Sequence, residues 1–72
     1  MSTRPQKHSL TLKGHRTSVS LEPEFWQAFC EIAKADDKTI NALAAEIDVD
    51  RGADVGLASA IRVYVLRRFM ND

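Results

Sequence analysis

Residues 14–26, GHRTSVSLEPEFW, change period partway along. From Arg16 to Leu21 the chain alternates, with Thr17, Val19 and Leu21 on one side and Arg16, Ser18 and Ser20 on the other. That is the period of a strand whose two faces meet different surroundings, and Thr and Val suit the geometry. At Glu22-Pro23 the alternation stops. Proline is well placed at the start of a helix, where its missing N–H would be unbonded anyway. Glu22 and Glu24 fall at the positive end of the helix dipole, and Leu21 can staple onto Trp26 across the cap. Phe25, Phe29, Ile32 and Ala33 then recur at helical spacing. A strand over residues 16–21 therefore runs directly into a helix over about 23–35, which fades before Asp36-Asp37.

Downstream, Thr39 is an N-cap for a second helix over about 39–48, with Ile40, Leu43, Ala44 and Ile47 as its stripe. Asp48 to Asp50 and Arg51-Gly52 break it. A third helix spans about 57–69. Its apolar residues include Leu57, Ala60, Ile61, Tyr64, Val65, Leu66 and Phe69, a face wide enough to imply packing on more than one side. Upstream, residues 1–7 read as a flexible basic arm. Residues 8–12, HSLTL, are a candidate second strand, and Lys13-Gly14 reads as a turn. No internal repeat or low-complexity tract is visible. The chain reads as one domain over residues 8–72, with Thr17, Val19, Leu21, Phe25, Phe29, Ile32, Leu43, Ile47, Leu57, Ile61 and Phe69 as its core and dimer seam.

The 72 residues make a marginal core, since a chain this short hides only about 60% of the surface it exposes unfolded. One cysteine excludes an internal disulfide. Two distant histidines and that cysteine do not make a metal site. Cys30, next to the core residue Phe29, reads as a small boundary residue. A partner subunit is the remaining source of burial. No apolar run is long enough to span a membrane, and MSTRPQKHSL lacks the apolar segment of a secretory signal, so a cytoplasmic setting is expected. Paired carboxylates, a nucleophile with its base, and a glycine-rich phosphate loop are all missing from the pattern, so neither an enzyme nor a cofactor is expected. Net charge is zero, but it is unevenly spread. Residues 1–16 carry Arg4, Lys7, Lys13 and Arg16 without an acid, whereas residues 17–50 carry eight acids against Lys34 and Lys38.

The edges of the 16–21 strand need partners, because unpaired backbone groups are costly. HSLTL could supply one, but an isolated hairpin is marginal. A copy of the same strand from a second chain, related by a two-fold axis, is the stronger solution. Arg16, Ser18 and Ser20 of both chains would then share one outward surface, and a two-stranded ribbon fits the major groove of B-DNA.

GHRTSVSLEPEFW, INALAAEID and GLASAIRVYVL, in that order, resemble the ribbon-helix-helix superfamily of small DNA-binding repressors. They are most similar to a compact ribbon-helix-helix domain family, found largely in alphaproteobacteria, that adds a third helix. The resemblance covers residues 7–69. It implies a mainly α fold, an intertwined homodimer whose antiparallel ribbon takes one strand from each chain, and an extra C-terminal helix. It further implies base contacts from Arg16, Ser18 and Ser20, and phosphate contacts from Thr39, Ile40 and Asn41 at the second helix's N-terminus. Lys7, Lys13 and Lys38 add phosphate contacts as nearby cations. Arg62 is read as structural, pairing with Glu46 or Asp48. His8 and His15 are read as surface residues. The partners expected are a second copy of the chain and double-stranded DNA, with a regulatory protein as a further candidate. The functional expectation is a sequence-specific repressor or autoregulator. The alternative is a small protein-interaction module, anti-activator or antitoxin-like, that uses the acidic helical surface.

Overall fold

The computed structural model describes residues 4–71. Residues 1–3 of the expected arm lie outside the described residues. The element order is β1 (Gln6–Leu12), β2 (His15–Leu21), α1 (Pro23–Ala35), α2 (Ile40–Asp50) and α3 (Leu57–Met70). Gln6 and Lys7 therefore belong to a strand and not to the arm. α2 also runs on to Asp50 before the break at Arg51-Gly52.

β1 and β2 form an antiparallel pair, with Leu12 opposite His15 and Gln6 opposite Leu21. β1 of the same chain thus takes one edge of β2, the pairing that HSLTL and the Lys13-Gly14 turn offered. The turn explains it. Lys13 and Gly14 both have positive φ, 51° and 84°, the two-residue geometry whose twist matches that of the flanking strands. A strand tethered by two residues is present at a far higher effective concentration than one on another chain.

The inner face of the hairpin buries Leu10, Leu12, Val19 and Leu21. Thr17 shares that face but is exposed. It sits toward the turn, beside Leu12, His15, Arg51 and Leu57, where the helical cover thins. Against this face lie Phe29, Ile32 and Ala33 of α1, Leu43, Ala44 and Ile47 of α2, and Ile61 and Val65 of α3. Phe29, Leu21, Leu43 and Ile61 are the largest fully buried side chains, so each of the three helices and β2 contributes one anchor. Phe25 and Leu57 are half-buried at the margin of this core.

Phe69 was expected inside and is not, being 62% exposed. Arg68 already reaches Asp36, which caps the end of α1, so the next residue of α3 lies past the helix that would cover it. Val63, Leu66 and Met70 are also exposed, and with Phe69 they give α3 an outward apolar side.

Candidate nucleic-acid interface

The hairpin's outer face carries only polar side chains: Lys7, Ser9 and Thr11 from β1, and Arg16, Ser18 and Ser20 from β2. All six are exposed. The register sets Lys7 opposite Ser20, Ser9 opposite Ser18 and Thr11 opposite Arg16. Arg16, Ser18 and Ser20 thus share one outward surface with three side chains of β1. Ser9 and Thr11 were not singled out in the sequence, because HSLTL read as only weakly alternating.

In a two-residue hairpin the residues flanking the turn exchange hydrogen bonds, and bonded and non-bonded pairs then alternate. The backbone groups of Thr11 and Ser20 consequently point away from the opposite strand. Both are engaged there. Thr11 N–H donates to Asn41 Oδ1 at 3.1 Å, and Ser20 carbonyl oxygen accepts from Arg62 Nη2 at 3.3 Å. The first contact places the N-terminus of α2 directly beside the ribbon. The Asn41 side chain is thus a ribbon-to-helix tie.

The other expected phosphate contacts take distinct positions. Thr39 Oγ1 accepts from Ala42 N–H at 3.0 Å, so its hydroxyl is the N-cap. Ile40 is half-buried against the core, while the N–H groups of Ile40 and Asn41 lie in the first turn, ahead of any intrahelical acceptor. Lys38 Nζ bonds Glu46 Oε1 at 2.8 Å, and that hydrogen bond raises the Lys38 pKa. Lys13 is exposed at the tip of the turn.

Several acids expected to form a negative surface are spent on clasps. Arg62 Nε donates to Glu22 Oε1 at 2.9 Å, not to Glu46 or Asp48 as the sequence suggested. That bond holds the Glu22 carboxyl below its usual range. Arg68 grips both oxygens of Asp36, at 2.8 and 2.5 Å, and lowers that carboxyl likewise. Asp48 pairs with Arg51 at 2.6 Å. Arg62 and Arg68 pin α3 to the two ends of α1. Asp36, a potential source of repulsion beside a phosphate, is neutralised by Arg68.

His8 also has a role that the sequence did not disclose. Its ring lies on Trp26 with centroids 3.7 Å apart, tying the inner face of β1 to the first turn of α1. Cys30 is half-buried, and burial, with help from Glu31, pushes its thiol pKa up, away from thiolate chemistry. Among the described residues no group of three or more His, Cys, Asp or Glu side chains is placed to hold a metal ion. No described helix is long and apolar enough to cross a membrane.

A two-stranded antiparallel ribbon with a polar outer face, followed by helices of which the second starts beside the ribbon, is the architecture of a ribbon-helix-helix domain. A scan against protein families matches residues 5–69 to the ribbon-helix-helix domain, and the chain belongs to that family. Such domains are in general DNA-binding transcription regulators. No curated protein and no solved structure matches the chain.

Proposed function

We propose that this protein is a homodimeric, sequence-specific transcription regulator, a repressor or autoregulator, that lays its ribbon in the DNA major groove. The observation that carries this reading is the six-residue polar face, which has cations at diagonally opposite corners, Lys7 and Arg16, and four hydroxyls between them. Arginine can pair with guanine O6 and N7, and serine and threonine can donate or accept at base edges. The first-turn N–H groups of α2 and the exposed Lys13 serve as phosphate contacts on the flank. A regulator of this kind works where the DNA is, in the cytoplasm. It reads a pseudo-palindromic site with two-fold related copies.

The second copy would cover the outward side of α3, where Val63, Leu66, Phe69 and Met70 stand exposed. A role as a protein-binding module working through acidic charge is less favoured, because Glu22, Asp36, Glu46 and Asp48 are already paired.

The test is a selection from random duplex DNA with the purified full chain, repeated with Arg16→Ala, Ser18→Ala and Ser20→Ala. The expected result is a defined sequence for the wild type and a loss of preference in the variants, with the fold intact. Equal, weak binding of all sequences at physiological salt would overturn the reading.

A further inference from the structure

The hairpin is held to the helices in two ways. Its inner side chains, Leu10, Leu12, Val19 and Leu21, are buried in the core. Apolar contact is non-directional, so it keeps the hairpin down without fixing its tilt. Direction comes from two side-chain hydrogen bonds to the hairpin backbone. Asn41 Oδ1, in the first turn of α2, accepts from Thr11 N–H on the outer edge of β1. Arg62 Nη2, in α3, donates to the Ser20 carbonyl oxygen on the outer edge of β2. The same guanidinium holds Glu22, the residue before α1, through Nε.

The two ties lie on opposite edges and toward opposite ends. Thr11 stands opposite Arg16, near the turn, and Ser20 stands opposite Lys7, toward the open end. Those pairs are four residue steps apart, about 13 Å at strand rise. Anchors at diagonal corners stop the hairpin from pivoting about either one.

Asn41 is the more telling of the two. Asparagine near a helix start commonly bonds its own neighbouring backbone. Here Thr39 takes that part by accepting from Ala42 N–H. The Asn41 side chain is left to reach a strand thirty positions away, while its own N–H and that of Ile40 precede any intrahelical acceptor. One residue therefore joins the N-terminus of α2 to the hairpin.

Resting on the DNA-reading function proposed above, we propose that Asn41 is a positioning residue. Its side chain sets the distance and angle between the N-terminus of α2, whose N–H groups take phosphate, and the polar outer face of the hairpin. Arg62 is the second point of the same clamp. The Asn41 side chain itself touches no phosphate. It acts on selectivity, because base contacts form only when the phosphate-bound helix and the hairpin meet the duplex in one fixed relation.

The experiment measures the Kd of the full chain for its selected site and for unrelated duplex DNA over a range of salt, in wild type, Asn41→Ala and Asn41→Asp. Asn41 is exposed and alanine is a good helix former, so the variants fold, as circular dichroism and thermal unfolding check. For Asn41→Ala the ratio of specific to non-specific affinity is expected to fall roughly three- to tenfold, the range that one hydrogen bond supplies. Its non-specific Kd and salt slope should not move, since no cation is altered. Asn41→Asp keeps an acceptor for Thr11 N–H and should restore the ratio, although its charge weakens binding to every sequence alike.

Two results would overturn the inference and leave the DNA-reading function standing. If Asn41→Ala lost affinity for both DNAs by the same factor, the side chain would be a phosphate ligand. If it lost thermal stability with the ratio unchanged, its role would be structural alone. A wild type that shows no sequence preference would remove both the inference and the function it rests on.

Amide hydrogen exchange at Thr11 reads the tie without DNA. This N–H points away from β2, so its protection should come from Asn41. Exchange should be faster in Asn41→Ala and close to the wild-type rate in Asn41→Asp. An unchanged rate in Asn41→Ala would overturn the clamp whatever the binding data show.

Discussion

His8 lies flat on Trp26, with ring centroids 3.7 Å apart and planes 4° from parallel. Trp26 in turn meets Phe29, a fully buried anchor of the core, at 5.9 Å. The contact sequence His8–Trp26–Phe29 couples the first strand to the middle of the fold. It also has a cost, because His8 Nε2 is shut off from solvent and has no hydrogen-bond partner among the described residues. An unpaired buried polar atom loses about 1–3 kcal/mol, whereas an aromatic pair contributes about 0.5–1.5 kcal/mol beyond its burial.

The stack and the orphan nitrogen make opposing predictions for two substitutions. His8→Phe keeps a ring on Trp26 and removes the orphan, so it should raise stability by about 1 kcal/mol. His8→Ala removes both and exposes the indole, so it should lower stability and shift Trp26 emission to longer wavelength. Denaturant titration followed by tryptophan fluorescence reads both effects. Equal stability of the two variants would show that the ring contact contributes nothing.

The turn between α1 and α2 has a similar local conflict. Asp37 has a φ of 57°, a left-handed conformation that costs a non-glycine residue about 1–2 kcal/mol. Lys38 N–H bonds Ala33 carbonyl oxygen at 2.8 Å, and Asp37 N–H bonds Lys34 carbonyl oxygen at 3.1 Å. That pair of bonds is the helix-ending motif whose left-handed position is normally glycine. Asp37→Gly should therefore stabilise the protein by roughly 1 kcal/mol. Gly14, at φ 84° in the hairpin turn, should behave in the opposite way. Gly14→Ala should cost about 1–2 kcal/mol and weaken DNA binding with it, since the turn fixes the ribbon's register. Thermal unfolding of the two variants beside the wild type checks the signs.

Local periodicity carried much of the fold. The alternation from Thr17 to Leu21 was enough to put Val19 and Leu21 inside and Ser18 and Ser20 outside, because side-chain direction in a strand is fixed by position parity. The stripes holding Phe29, Leu43 and Ile61 follow from helical spacing in the same way. Relations that depend on distant residues were not legible. Glu22 and Arg62 are forty positions apart, and several acids were equally available to Arg62 from sequence alone. The polar face of β1 was hidden for a different reason. Histidine occupies an inward position in QKHSLTL, so the hydrophobic alternation was blurred at His8. Phe69 was misplaced because its spacing from Ile61 and Val65 is that of a core residue, and only the end of α1 determines that nothing covers it.

The two arginine clasps set the acid response. The hydrogen bond from Arg62 lowers the Glu22 carboxyl, and that from Arg68 lowers the Asp36 carboxyl. A carboxyl held below its ordinary value stabilises the fold fully above the range where free carboxyls titrate, about pH 4, and loses that contribution as pH falls through the folded-state value. Stability should thus be flat through the neutral range and decline on acidification. Arg68→Gln should be less stable than the wild type at neutral pH, and the two should converge in strongly acidic solution. Both acids are partly open to solvent, so added salt should shrink the neutral-pH gap. A gap that persists unchanged at low pH would mean that Arg68 acts through packing of its stem and not through Asp36.

The outward side of α3 gives the last prediction. Leu66, Phe69 and Met70 are 56%, 62% and 71% exposed, and Val63 precedes Leu66 and Met70 on the same helical stripe at spacings of three and seven. Large apolar side chains gathered on one helix face of a small chain mark a contact surface. In the proposed dimer they meet their own copies. Leu66→Ser with Phe69→Ser should leave the fold within about 0.5 kcal/mol of wild type, since neither side chain supports the core. The same pair should convert a dimer to a monomer in sedimentation velocity. Affinity for the pseudo-palindromic site should drop, because the second copy is no longer delivered at high effective concentration. A wild-type chain that sediments as a monomer at micromolar concentration would remove α3 as the dimer surface.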